Sequence, residues 1–379
     1  MNKSGRKVLV IQRRMTHYRI PFFEALRAEF AKRNCELVLA AGTGTPEEST
    51  KNDSGNIPWA KVLPTHYFAN GRICWQSFNS LLGDVDCAVF ALENKLLFNL
   101  YAQFLSPVPR VVLWGHGANL QGDPKSLREK FKRYTAKKAD WWLGYTPLSR
   151  PLIEKSGFPS ERISILNNSI DTTELKNLRD ALNPDELQAI KDRLSLNGKK
   201  VGIYVGSLYK EKRIQFMLEA AKRIRQDIPE FEFLIVGAGP DSVLVEEFVR
   251  SNPWVHYLGA QKGKDKVALL AISDVMLNPG LVGLGILDSF VCEVPLLTTD
   301  CGLHSPEIAY LENHSNGLIT EDTLENYAQS VIDLLADEHA LLRLKAGCAA
   351  SAKKFTVENM AINFADAIVA CMDAPPYRK

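Results

Sequence analysis

The chain has 379 residues, 46% of them hydrophobic, more than one ordinary core needs and enough for two domains. Its 46 basic and 44 acidic residues nearly cancel, which argues against the broad positive field of a nucleic-acid binder. The seven cysteines (35, 74, 87, 292, 301, 348, 371) are scattered and include no Cys-x-x-Cys pair. That excludes a disulfide framework or zinc-ribbon spacing and predicts reduced thiols in a cytoplasmic protein.

In chain order, the first apolar run, residues 8–11, is broken at once by Gln12, Arg13 and Arg14, so it reads as a strand and not as a signal peptide. No run reaches the ~18 apolar residues of a membrane span. A helix is predicted over 20–33, with Pro21 in its first turn. Strands follow at 35–42, 87–92, 110–117 and 141–146, mostly with helical stretches between them. The second half restarts the scheme, with strands at 199–208, 231–239, 255–259, 275–280 and 294–300. Helices alternate with them at 214–226, 242–251, 264–273 and 284–293. This alternation predicts an α/β protein of two Rossmann-like domains facing across a cleft, with ligands at the carboxyl ends of the strands. The predicted boundaries are 1–170, a charged linker with a short helix over 171–199, a second domain over 200–355, and a C-terminal helix in 356–379 that packs back on the first domain.

Three loops in the second half could hold a ligand. Gly237 and Gly239 follow a strand, but a third glycine is missing and Pro240 intervenes, so a tight turn is at least as good a reading as a dinucleotide loop. Gly206 ends another strand, and Ser207, Lys210, Lys212 and Arg213 come before a helix, a basic turn suited to a diphosphate. In "NPGLVGLGILDSF", residues 278–290, Gly280, Gly283 and Gly285 allow close backbone approach. A helix opening near Leu284 adds free N–H groups and a positive end, and Asp288 falls near its first turn.

Together these segments resemble the retaining family-4 glycosyltransferases of the GT-B fold. "VGSLYKEKR" is similar to that family's Gly-Arg-Leu…Lys loop, "NPGLVGLGILDS" to its paired-glutamate segment, and "FVCEVPLLTTDCGLHSPEI" to the segment that follows. "ILNNSIDTTEL" matches the interdomain stretch. The similarity covers about residues 160–310, and the N-terminal half by layout. Aligned this way, the second glutamate falls on Asp288, the first on Gly280, the arginine on Ser207 and the lysine on Lys212, a variant branch without the first glutamate. The resemblance implies that Lys212 neutralises the donor diphosphate, Asp288 holds the ribose and the backbone at 283–285 cradles phosphate or sugar. It implies a nucleotide-sugar donor, a glycan or polyprenyl- or lipid-linked acceptor in cell-surface polysaccharide or lipopolysaccharide synthesis, and no cofactor or obligatory metal. The competing account is a non-catalytic relative that keeps nucleotide binding.

In the first half, His116 ends a buried strand between two glycines, where the resembled family often places a histidine facing the donor sugar. His17 and Arg19, after the first strand, are acceptor-side candidates. Glu307, on the loop that contains His304, could help orient the donor. Asp84 and Asp86 stand at the start of a strand, the wrong end for the cleft, and read as solvated acids rather than a metal site. Residues 125–138 carry seven basic residues and one acid with Leu127, Phe131 and Tyr134 interleaved. They read as a solvated helix face or as a peripheral contact with anionic lipid on the cytoplasmic side of a membrane.

Overall fold

The alternation in the first strand is used on both faces. Val8 and Val10 enter one buried cluster with Phe22, Phe23, Phe30 and Phe364, while Leu9 and Ile11 enter another with Phe78 and Phe90. A strand apolar on both faces belongs in the middle of a helix-covered parallel sheet. The computed structural model describes residues 5–49, 53–93, 95–117 and 126–378. The chain divides into two units, Met1–Ile170 with Val357–Lys379, and Asp171–Thr356.

The strands of the first unit are β1 (Arg6–Gln12), β2 (Cys35–Ala41), β3 (Lys61–Val62), β4 (Thr65–Phe68), β5 (Ile73–Gln76), β6 (Cys87–Ala91), β7 (Arg110–Gly115), β8 (Trp141–Gly144) and β9 (Ile163–Ile165). Among the described residues, seven of them form one parallel sheet in the order β3-β2-β1-β6-β7-β8-β9. β4 and β5 form a separate antiparallel hairpin that the sequence reading left out. Its signal was present: Asn70-Gly71, both at positive φ, joins two short alternating runs. The C-terminal helix Val357–Asp373 belongs to this unit, with the Phe364 ring against Phe22, Phe30 and Trp114. Asp84 and Asp86 stand at the amino end of the sheet, where both bind Lys7, through its side chain and its backbone N–H respectively.

In the second unit, β10 (Lys200–Val205), β11 (Phe231–Val236), β12 (Val255–Tyr257), β13 (Val275–Leu277), β14 (Leu296–Thr299) and β15 (Gly317–Thr320) make a parallel sheet in the order β12-β11-β10-β13-β14-β15. The chain winds outward in both directions from β10, so the loops after β10 and β13 meet at the topological switch point. Residues 171–199, expected as a linker with one short helix, carry two helices, Thr172–Asp180 and Pro184–Arg193, and belong to the second unit. Arg179 anchors the first of them, donating to the Val291 carbonyl at 2.8 Å and pairing with Glu293 at 2.7 Å. All seven cysteines are free thiols.

Candidate functional site

At the switch point the lysine loop and the glycine loop are bolted together. Leu281 N–H donates to the Glu211 carbonyl at 2.8 Å, and Lys212 Nζ donates to the Leu281 carbonyl. A Cβ at Gly280 would lie 2.5–2.6 Å from backbone atoms of Glu211 and Lys212. Gly280, expected among the donor-binding residues, therefore serves the approach of the two loops, and a carboxylate cannot be carried there without moving backbone. Lys212 is half-buried, and burial lowers its ammonium pKa from 10.5 to about 8.

The glycine loop is held from its other side by His304, which the sequence placed only on a neighbouring loop. Its Nδ1 accepts from Val282 N–H at 3.2 Å and its Nε2 donates to the Thr299 carbonyl at 2.7 Å. These two bonds define a neutral Nε2–H ring. Burial, with the nearby Lys212 charge, lowers its pKa below the usual histidine value. Ser305 N–H donates to the Val282 carbonyl at 2.9 Å, so both backbone groups of Val282 are engaged.

Beyond Val282 the backbone opens. Among the described residues, the N–H groups of Gly283, Leu284 and Gly285 donate to no protein acceptor, while those of Ile286 and Leu287 turn back to Gly283 and Leu284. Leu284 is the N-cap of the helix Gly285–Cys292 and supplies no side-chain cap. A Cβ at Gly285 would meet nothing within 4 Å, and one at Gly283 would make only ordinary contact with Ser305. Neither glycine has a positive φ. The protein's own packing thus leaves both positions open, with three unsatisfied donors and a positive helix end facing that space.

Asp288 is the fourth residue of this helix, buried, and paired with Lys266 at 2.9 Å, while its Oδ1 has no partner among the described residues. The helix Gly263–Ala271 supplies Lys266, which the sequence reading missed because it stands among other lysines in an ordinary amphipathic stretch. Arg213 departs from expectation. It sits at φ 57° as the cap of the helix Ile214–Asp227. Its guanidinium pairs with Asp322, donates to Thr299 Oγ1 at 3.1 Å and lies 4.2 Å from the Phe216 ring centre. It braces the loop instead of facing a donor. Lys210 and Ser207 are exposed, and the Ser207 carbonyl accepts from Tyr204 Oη at 2.8 Å. Gly206 N–H donates to the Val236 carbonyl, and a Cβ at Gly237 would lie 1.8 Å from the Gly206 oxygen. Loop-to-loop packing, and not a dinucleotide, accounts for these glycines. Glu307 is buried in the 3-10 turn Pro306–Tyr310.

The carboxyl ends of the first unit's sheet gather a second group. Arg19 is buried, 7% exposed, at the N-cap of the helix Ile20–Lys32. Its guanidinium carbon lies 5.3 Å from the Tyr18 and Trp114 ring centres and 5.7 Å from that of Tyr145. Among the described residues its Nη1 has no hydrogen-bond partner. Cation–π contacts return about 0.5–2 kcal/mol each, against several kcal/mol for desolvating a cation. His116 follows β7 and packs edge-on against Tyr145, with ring centres 4.5 Å apart. His17 is exposed, with its N–H on the Asp53 carbonyl at 2.9 Å. In the basic segment, Lys125 and the side chains of 128, 129 and 132 lie outside the described residues. Leu127, Phe131 and Tyr134 on the helix Leu127–Ala136 are exposed, as are Leu97, Tyr101, Phe104 and Leu105 on or at the end of the helix Leu97–Leu105. The Phe104 and Tyr134 rings stack at 6.1 Å.

Residues 199–337 match the family described as glycosyl transferases group 1. An alpha-monoglucosyldiacylglycerol synthase of Acholeplasma laidlawii is 24% identical over 181 residues, 46% of this chain and 44% of that protein. An alpha-D-kanosaminyltransferase of Streptomyces kanamyceticus is 24% identical over 229 residues, 57% and 56% of the two chains. This chain thus spans about half the length of the curated relatives it matches. The crystal structure of HepE of Anabaena in complex with UDP superposes with a TM-score of 0.71 at 12% identity, over 96% of this chain and all of that one. Residues 199–337 are thus similar to the glycosyl transferases group 1 family, and the fold of the chain is that of the GT-B class.

Proposed function

We propose that the chain is a hexosyltransferase that moves a sugar from a nucleoside-diphosphate sugar to a hydroxyl of a glycan or lipid-linked acceptor, with retention at the anomeric carbon. The observation that carries this reading is the open backbone at 283–285 beside Lys212: three free N–H donors, a helix N-terminus and a half-buried ammonium at one strand-switch point. Such a field matches the charge that develops on a leaving diphosphate, which is where electrostatic stabilisation contributes most. The acceptor oxygen attacks the anomeric carbon on the face the diphosphate leaves, the carbon–oxygen bond to the phosphate breaks, and a phosphate oxygen takes the acceptor's proton. Lys212 and the 283–285 backbone hold the departing charge, so the reaction as proposed needs no metal. The free Oδ1 of Asp288, steadied by Lys266, accepts from the ribose hydroxyls.

The similarity to a structure holding UDP supports a uridine nucleotide, and the similarity to a glucosyldiacylglycerol synthase supports a lipid-linked acceptor. The exposed rings and aliphatic chains of residues 97–105 and 127–134, bordered by Lys130, Arg133, Lys137 and Lys138, suit a peripheral hold on anionic lipid at the cytoplasmic face. Among the described residues no single helix is long and apolar enough to cross a membrane. Flotation with phosphatidylglycerol vesicles should carry the protein and phosphatidylcholine vesicles should not, and Phe131→Asp should abolish the difference. Equal flotation on both would remove the charge-dependent contact.

Gly280 favours one alternative, a nucleotide-sugar-binding protein without turnover, because no carboxylate can stand at that position. A panel of UDP-, GDP-, ADP- and dTDP-sugars, scored for thermal shift and for donor hydrolysis, separates the two. Binding with no turnover, even with acceptor extracts, would favour the alternative; no binding at all would overturn both.

A further inference from the structure

The segment after β1 contains three arginines that the fold treats unequally. Arg13 and Arg14 each make a two-bond pair with a carboxylate, Arg13 with Glu48 at 2.6 and 2.7 Å and Arg14 with Asp53 at 2.7 and 2.8 Å. Arg19 is more buried than either and, among the described residues, makes no such pair. Its Nη1 and the indole Nε1 of Trp114, the ring beside it, are both buried donors with no acceptor among the described residues. Arg19 also caps a 13-residue helix whose first turn holds no acid, so the positive helix end adds to the guanidinium charge. Buried cations are ordinarily paired, and an apolar chain of similar length would fill the space at no electrostatic cost. Two enclosed donors, a cation and a helix N-terminus all lack the same thing, an oxyanion.

We propose that Arg19 and Trp114 form an oxyanion subsite in the first unit, which receives a phosphate or carboxylate group of the acceptor. Calling the ligand an acceptor rests on the transferase reading above; the subsite itself does not. Trp114 and Tyr145, with the His116 ring against Tyr145, provide an aromatic wall for the sugar that carries the anion. The site would select charged over neutral acceptors, because a guanidinium fork recognises planar and tetrahedral oxyanions alike.

Calorimetric titration of glucose 6-phosphate, glucuronate and glucose into the full chain tests this, using wild type, Arg19→Met and Lys212→Met. One or both charged sugars should bind wild type about tenfold or more tighter than glucose, and which of them binds decides between phosphate and carboxylate. That preference should vanish in Arg19→Met and persist in Lys212→Met. Arg19→Met should also melt about 2–4 °C above wild type without ligand, as a buried charge kept for a ligand is replaced by a packed apolar chain. A lower melting temperature would make Arg19 a structural strut and overturn the proposal, as would equal binding of charged and neutral sugars, or loss of the preference only in Lys212→Met. Binding of UDP-, GDP-, ADP- and dTDP-sugars in the same variants keeps the readings apart: its absence throughout would sink the transferase reading, while an anion preference that follows Arg19 would leave the subsite standing.

Discussion

Replacing Lys212 with methionine should make the empty protein more stable and its nucleotide site weaker. Burial brings the ammonium from 10.5 to about 8. At about 1.4 kcal/mol per pKa unit, keeping the proton costs the folded state up to about 3 kcal/mol at neutral pH. The lost hydrogen bond to the Leu281 carbonyl offsets roughly 1 kcal/mol, and Asn278 Nδ2, at 3.4 Å, still reaches that oxygen. A net gain of about 1–2 kcal/mol corresponds to a melting temperature higher by roughly 3–6 °C in a unit of this size. The folded-state pKa lies below the unfolded one, so the penalty is fully present below pH about 8 and fades as pH rises toward 10.5. The gap between variant and wild type should therefore be widest near pH 7 and close above pH 10. With UDP the order should reverse, because losing one charge-assisted contact weakens binding by about 10–150-fold. Thermal melts at several pH values, with and without UDP, check both halves. A variant that melts below wild type at pH 7 without nucleotide, or that binds UDP as well as wild type, would refute the reasoning.

The two kinds of glycine in the 278–290 stretch should respond oppositely to substitution. Gly285→Ala enters open space at a compatible φ and should raise apo stability by about 0.4–1 kcal/mol while weakening UDP binding, whereas Gly280→Glu should destabilise the second unit by about 1–3 kcal/mol and restore no activity; urea melts and UDP titrations measure both. His304→Phe removes both hydrogen bonds by which the ring ties Val282 of the glycine loop to the Thr299 carbonyl and should cost about 2–4 kcal/mol, with weaker nucleotide binding. The His304 pKa lies below its unfolded 6.5, so the stability its neutral ring contributes is complete above pH 6.5 and is lost as pH falls through that value toward the folded-state pKa. A wild-type decline in stability below pH 6.5 that persists unchanged in His304→Phe would assign it to another group.

Much of the fold was legible because it is written in local periodicity. The central strands of both sheets and the helices between them follow from apolar runs and amphipathic spacing. Among the elements that escaped were β3, β9, β15 and the β4–β5 hairpin, at two to four residues each too short for a period to show, and the two helices Leu324–Ala336 and Glu338–Lys354, which follow the last strand assigned from the sequence. At the site, Lys212 and the 283–285 turn were visible because a cation and glycines at a strand's carboxyl end carry their chemistry in their identity. Lys266 and the pinning role of His304 were not, since each acts on a residue about 22 positions away in the chain.

The amino-acid sequence by itself determined two parallel-sheet units and, in the second of them, a glycine turn that opens a helix, because backbone geometry and side-chain alternation depend only on near neighbours. The tertiary structure decided which charges are spent and which are free. Arg213 is taken by Asp322 and Thr299, Asp288 shares Lys266 and keeps one oxygen open, and Gly280 is closed to any side chain by the lysine loop. Among the described residues Arg19 stands without a carboxylate while Arg13 and Arg14 do not. These outcomes depend on strand order, which sets distant loops side by side, and no run of neighbouring residues encodes that.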